Sequence, residues 1–395
     1  MINKNLKYYA SSFIWGVIAK VLDAIIKFLT TPMLLLYFGK EDFGLITLAI
    51  SINVYTNLLD MGMNTGSVKF FSRWLDNHEY KLLDRVSRTS ITFYLIIGFI
   101  NSLVFLLLAI FADSIFNVTA EQIGVFQNLM LILAVSSIFN WSTYVFYQLL
   151  VADEKMGLIQ RIFSARSILL LLITIFTISL KLTISQYFAG YILVNVFIIV
   201  PYYVLCKKYK LITSLLPAFY WKNFSVILNY SLAIFAIGIF QLTATQSRPI
   251  ILGIFSKSGM NILADYRIIE VFPAFIISIG GMIISIFLPK ASKYIAEKDK
   301  AQIEAFAYRG TLYTSIITSV LCFLIILVSK EILVLYVGVD YEHLYVWMSL
   351  WVFTLTLSLH NSPVSSLVLV SGKMKKLVYM TAISCVVSII INILL

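Results

Sequence analysis

The chain has 395 residues, of which 60% are hydrophobic and 12% charged. A soluble domain carries about 25% charged residues, so an ordinary soluble protein is excluded and a polytopic membrane protein is expected. The net charge of +11 calls for no nucleic acid once the basic residues are placed, and Cys206, Cys322 and Cys385, far apart and without a CxxC pair, form neither a disulfide framework nor a zinc site.

A membrane-spanning helix needs about 20 mostly apolar residues. Eleven stretches qualify, at about 12–38, 43–66, 89–112, 124–150, 158–180, 183–205, 225–255, 260–288, 307–328, 344–370 and 377–395. The basic start MINKNLKYY is followed by no A-x-A site, so the first span reads as a retained helix and not a cleaved signal peptide. That span contains IAKVLDAIIKFL, in which Lys20, Asp23 and Lys27 lie three and seven residues apart and share one helix face. Asp23 is within reach of both lysines and can neutralise one of them. The second span ends at LLDMGM, where Asp60 reads as a helix-end cap beside a glycine break, with a transport role as the alternative. The next segment, SVKFFSRWLDNHEYKLLDRVSR, mixes apolar and charged residues at helical spacing and is expected along the membrane interface. In the seventh span Arg248 precedes Pro249, and the eighth carries Asp265, Arg267 and Glu270. His360, in LHNSPV, is expected to be a hydrogen-bonded packing residue, with a proton carrier as the alternative. Breaks at Pro32, Pro249, Pro273, Pro363, the Gly62–Gly66 region and Gly280–Gly281 are tolerated where protein or a water-filled cavity surrounds the backbone. The cysteines read as buried packing residues, and the aromatics mostly as interface belts and lipid-facing surface.

With the N-terminus in the cytoplasm, 22 of the 30 Lys and Arg residues, Arg161 and Arg166 among them, fall in inside segments and 4 in outside loops. This bias fixes the orientation and gives some affinity for anionic lipid head groups.

The chain also repeats itself. TTPMLLLYFGKEDFGLITLA aligns with QSRPIILGIFSKSGMNILAD, placing Pro32 on Pro249, Phe38 on Phe255 and Lys40 on Lys257 at an offset of 217. LLVADEKMGLI aligns with LVLVSGKMKKL, placing Lys155 on Lys373 and Met156 on Met374 at 218. Two parallel repeats related by an axis along the membrane normal are therefore expected: a six-helix bundle over 1–206, a cytoplasmic linker over 207–223 and a second bundle over 224–395. The counterpart of the span at 183–205 falls beyond Leu395. A truncated twelve-helix protein is expected, ahead of a genuine eleven-helix form with an external C-terminus.

Three segments, TPMLLLYFGKEDFG, LLDMGMNTGSVKFFSRWL and LLVADEKM, carry a resemblance. The chain resembles the bacterial Wzx-type flippases that handle O-antigen, capsule and teichoic acid units. These belong to the polysaccharide transporter family, in the superfamily that also holds multidrug-and-toxin extruders and lipid II flippases. The resemblance covers the whole chain and departs from the family only in lacking a twelfth helix. It implies an all-α fold of two bundles around a central cavity that opens alternately inward and outward, in the bacterial cytoplasmic (inner) membrane. It implies an undecaprenyl-diphosphate-linked oligosaccharide as cargo, no cofactor, coupling to H⁺ or Na⁺, and a polysaccharide polymerase and chain-length proteins as partners.

Ionisable residues within a membrane cost about 2.5–3.5 kcal/mol each and usually face a bundle interior or cavity. Lys20, Lys27, Arg248 and Arg267 are expected to form a cationic cavity for a diphosphate or acidic sugar, with Asp23, Asp60, Asp265 and Glu270 as ion-pair partners or coupling carboxylates. The alternative is a set of internal salt bridges that only fix helix packing. A cation antiporter on the same fold would favour an acidic cavity, whereas Lys20, Asp23, Lys27, Arg248, Asp265, Arg267 and Glu270 leave one net positive charge. A membrane-bound polymerase or glycosyltransferase would need a large external loop with catalytic side chains; the sequence shows none, nor a P-loop, zinc signature or nucleophile motif. A transporter is expected, not an enzyme.

Overall fold

The structure, a computed structural model, describes residues 2–297, 300–371 and 374–394. Lys298, one of the basic residues counted inside, and Lys373 and Leu395, named above for the repeat and the chain end, lie outside the described residues. Every regular element among the described residues is helical. In chain order these are α1 (Ile2–Phe38), α2 (Lys40–Thr56), α3 (Met63–Asp76), α4 (Tyr80–Ile110), α5 (Ala112–Ile115), α6 (Ala120–Asn140), α7 (Thr143–Ala152), α8 (Met156–Ser179) and α9 (Ile184–Phe197). They continue as α10 (Ile199–Lys208), α11 (Trp221–Phe255), α12 (Asn261–Glu297), α13 (Lys300–Leu327), α14 (Ser329–Val337), α15 (Tyr345–Leu359), α16 (Ser362–Ser371) and α17 (Met374–Leu394).

Seven segments among the described residues have the length and composition to cross a membrane, six of them between Ile14 and Lys208 and the seventh at Lys300–Leu327. They coincide with the first six expected spans and the ninth. The expected span at 124–150 is interrupted at Trp141–Ser142, which separates α6 from α7. The repeat is visible in the helix ends: Pro32 in α1 and Pro249 in α11 each stand six residues before the helix terminus. The ends of α4 and α13 (Ile110 and Leu327), like the starts of α5 and α14 (Ala112 and Ser329), are 217 residues apart.

The chain packs as two compact units, one of Met1–Ile26, Tyr37–Leu263 and Ala382–Leu395, the other of Lys27–Leu36 and Ala264–Thr381. This division by packing differs from the repeat boundary at 207–223, because α11 lies against α2, α3 and α4 within unit 1. Gly62 and Gly66 admit that approach. A side chain on Gly62 would come within 2.6 Å of the Ser231 carbonyl of α11, and at φ 72 its backbone is left-handed, a conformation that costs other residues. The fully buried side chains of unit 1 include Phe71, Tyr94, Phe126, Tyr202 and Phe224. Thr119 and Thr183 start α6 and α9 with reciprocal capping boxes to Gln122 and Gln186, which satisfy orphan N–H groups at the helix starts. All three cysteines are free and buried, as expected of packing residues.

Unit 2 contains the proline of α1. Pro32 has no N–H, so the carbonyl four residues earlier, that of Phe28, loses its helical partner. Tyr336 of α14 donates its hydroxyl to that carbonyl at 2.8 Å. The Tyr336 ring stacks on Phe28 at 4.3 Å, and Phe272 meets both rings edge-on at 5.3 and 5.7 Å. Replacing Tyr336 with Phe strands the carbonyl and is expected to cost about 1–3 kcal/mol, read as a lower midpoint in thermal unfolding of the detergent-purified chain. In a Pro32→Ala background, where the backbone donor returns, most of that cost disappears. An equal cost in both backgrounds would refute the assignment.

Candidate functional site

Within unit 1 the helices α2, α3, α6, α7, α8, α9 and α10 enclose a cavity of about 410 Å³. Its wall is polar in an unusual way. Asn53 and Asn57 enter from α2 and the 3₁₀ turn Asn57–Asp60 that follows it, Asn64 from α3, Asn140 from the end of α6 and Asn195 from α9. Four tyrosines, Tyr144, Tyr147, Tyr191 and Tyr202, supply aromatic faces and hydroxyls. Among the described residues, Arg166 of α8 is the only charged one in the lining, and no carboxylate is part of it.

The arginine is held in place. Its Nε donates to Asn195 Oδ1 at 2.8 Å, and Asn195 Nδ2 donates to the Tyr191 carbonyl at 2.7 Å. One of the five guanidinium N–H donors is spent on this bond, which fixes the orientation of the planar fork. Buried polar atoms normally find partners, yet Tyr202 Oη, Asn64 Oδ1 and Thr143 Oγ1, all on lining residues, have none among the described residues. They suit a polar occupant.

Asp60 stands one residue behind this wall. Gln148 Nε2 donates to Tyr94 Oη at 2.7 Å, and Tyr94 donates to Asp60 Oδ1 at 2.6 Å. The other carboxylate oxygen accepts the Asn64 backbone N–H at 3.0 Å, near the start of α3. Tyr94 has no exposure and is flanked by the Trp141 and Tyr144 rings at 6.0 and 5.8 Å. Asp60 therefore caps a helix and, through Tyr94, is tied to α7. The left-handed Met61 and Gly62 (φ 50 and 72) make the sharp turn that brings its carboxylate back onto Asn64.

Residues 10–294 match the family described as "Polysaccharide biosynthesis protein". The chain belongs to that family. Solved folds also resemble this one. An inward-facing multidrug resistance MATE transporter of the MOP superfamily gives a TM-score of 0.63 at 15% identity, over 95% of this chain and 87% of that one. A mutant of the Vibrio cholerae MATE transporter VcmN gives 0.63 at 13%, over 98% and 85%. A MOP-superfamily transporter from Pyrococcus furiosus, described for the reverse polarity of its binding pocket, gives 0.56 at 14%, over 97% and 94%. At these identities the likeness is one of fold. No curated protein matches the chain. The fold is that of multi-pass membrane transporters.

In this polysaccharide-family chain the charges singled out from sequence are distributed over both units. Lys20, Asp23, Asp60 and Arg248 belong to unit 1, and Lys27, Asp265, Arg267 and Glu270 to unit 2. Lys20 and Lys27 are exposed side chains of α1, and Arg248 is half-buried in α11. Asp23 accepts from Ser167 Oγ of α8 at 3.0 Å, joining α1 to the helix that carries Arg166. Arg267 and Glu270 form an ion pair within one turn of α12, and Tyr266 Oη lies 3.5 Å from the same carboxylate. Asp265 is half-buried in the same turn. His360 Nδ1 donates to the Leu357 carbonyl at 2.6 Å, the local packing bond expected of it. Arg166, counted with the inside loops, lies ten residues into α8, within the apolar segment Met156–Ser179. At 1.5 Å per residue that is about 15 Å from the helix start.

Proposed function

We propose that this chain flips undecaprenyl-diphosphate-linked oligosaccharide units across the bacterial cytoplasmic membrane for surface polysaccharide synthesis. Family membership supports a polysaccharide transporter, and the observation that carries the reading further is the lining of the unit 1 cavity. Amides and tyrosines suit sugar hydroxyls and sugar faces, and a single oriented guanidinium suits one anionic group. A pocket for cationic drugs would present a carboxylate, and the described residues of this lining include none. In this reading Lys20, Lys27, Arg248 and Arg267 supply further positive charge for the diphosphate. Asp23 and Asp60 are the carboxylates through which H⁺ or Na⁺ would couple. The N-terminus faces the cytoplasm, and a polymerase with its chain-length protein takes the glycan on the outer side.

The test is genetic. Deleting the gene is expected to abolish the surface glycan, and the wild-type copy to restore it. Losing a charge-assisted hydrogen bond worth about 1.5–3 kcal/mol predicts that Arg166→Ala restores roughly tenfold less glycan at equal protein level, with Lys27→Ala also reduced. Normal glycan after deletion, together with increased sensitivity to cationic dyes, would replace the flippase reading by a multidrug-type antiporter on the same fold.

A further inference from the structure

A second cavity, of about 260 Å³, lies where the chain between α10 and α11 crosses the first turns of α4. Lys81, Asp84, Arg85 and Arg88, spaced at 0, 3, 4 and 7, share one face of α4 and line it together with Tyr80 and Tyr220. The crossing segment is strapped down at three points. The Thr213 backbone N–H and hydroxyl both donate to Asp84 Oδ1, at 2.8 and 2.7 Å. Arg88 Nε donates to the Leu216 carbonyl at 2.8 Å, and Thr92 Oγ1 to the Ala218 carbonyl at 2.7 Å. The pocket thus sets one carboxylate, with one oxygen already committed to Thr213, against three cations. Arg85 lies 5.4 Å from the centre of the Tyr220 ring, and both it and Lys81 are exposed.

The outer side of the strap is apolar. Leu216 is 68% exposed, Phe219 71% and Trp221 50%, and the Phe219 and Trp221 rings stack at 5.9 Å. In water such a cluster beside a basic pocket would be unfavourable. At a membrane surface, aromatic rings settle at head-group level while basic side chains meet lipid phosphates. The apolar segments that flank it, Tyr80–Ile110 and Ile184–Lys208, have the length to cross a membrane. We infer that the pocket of Lys81, Arg85 and Arg88 binds the phosphate of an anionic phospholipid, whose acyl chains lie against Leu216, Phe219 and Trp221. The inference is independent of what the unit 1 cavity carries. A free phosphate shares the head-group chemistry, but only a lipid uses the exposed apolar cluster.

The experiment is native mass spectrometry of the full-length, delipidated chain given limiting phosphatidylglycerol or phosphatidylcholine. Wild type is expected to retain phosphatidylglycerol in preference to phosphatidylcholine. The double variant Lys81→Gln, Arg85→Gln, which leaves all three strap bonds in place, is expected to retain one phosphatidylglycerol fewer per chain. A second variant, Leu216→Ser, Phe219→Ser, tests the apolar half and is expected to lower retention at least threefold, whereas 10 mM inorganic phosphate displaces little lipid. Equal retention of the two lipids by wild type, an unchanged count in the double variant, or full displacement by inorganic phosphate would overturn the inference.

Discussion

Replacing Asp60 with alanine is expected to lower the stability of the purified chain by about 3–6 kcal/mol, since it removes two hydrogen bonds to a carboxylate worth about 1.5–3 kcal/mol each. Two donors lose their acceptor at once, the Tyr94 hydroxyl and the Asn64 N–H. Tyr94 has no exposure, so water cannot take over. Tyr94→Phe removes the other end of the bond and strands the Gln148 amide instead, at a smaller cost. Because the residues share one network, the double variant is expected to lose less than the sum of the singles. The measurement is the apparent melting midpoint in detergent for the four members of the cycle. A midpoint for Asp60→Ala equal to wild type would refute the network's contribution.

The second large effect is expected at Gly44→Ala. A β-carbon there would overlap the main-chain carbonyl of Met260, with the carbonyl carbon at 2.8 Å. A backbone neighbour cannot rotate aside, and it is held close because Glu41, one turn earlier, accepts from Gln122 Nε2 at 2.9 Å and Asn261 Nδ2 at 3.4 Å. Overpacking of this kind costs about 1–3 kcal/mol and sometimes more, so the variant is expected to express poorly and melt early. Gly124→Ala is the control, because a β-carbon on that α6 residue meets nothing within 4 Å. In a helix interior the change to alanine favours the folded state by about 0.5–1 kcal/mol. Similar behaviour of the two variants would show that close approach at Gly44 is not what matters.

The helices were readable because a membrane span leaves a crude signal, twenty apolar residues in a row. The repeat was readable because Pro32, Pro249 and the lysines after them break that monotony at a fixed interval. The cavity was not. Its described lining comes from seven helices, and six of them contribute only one or two Asn or Tyr residues each, neither residue type being conspicuous within an apolar run. Charge singles out Lys20 and Lys27, whereas Arg166 reads as part of an inside loop because it stands near Arg161 and Lys155. Two signals were present: Asn53 and Asn57 lie four residues apart on one face of a span, and Arg166 is followed by the long apolar run SILLLLITIF. What these residues converge on depends on tertiary packing, which no local pattern specifies.

The contact between Tyr336 and the Phe28 carbonyl has an evolutionary consequence. A proline in a helix normally leaves a local defect, but here the missing donor is supplied from more than three hundred residues away in the chain. Position 32 and position 336 therefore form one inherited unit. A lineage that regains an ordinary residue at 32 releases 336 from its need for a hydroxyl, and one that loses the phenol first is pressed to lose the proline. Across relatives the two positions are expected to covary as tightly as neighbours in sequence.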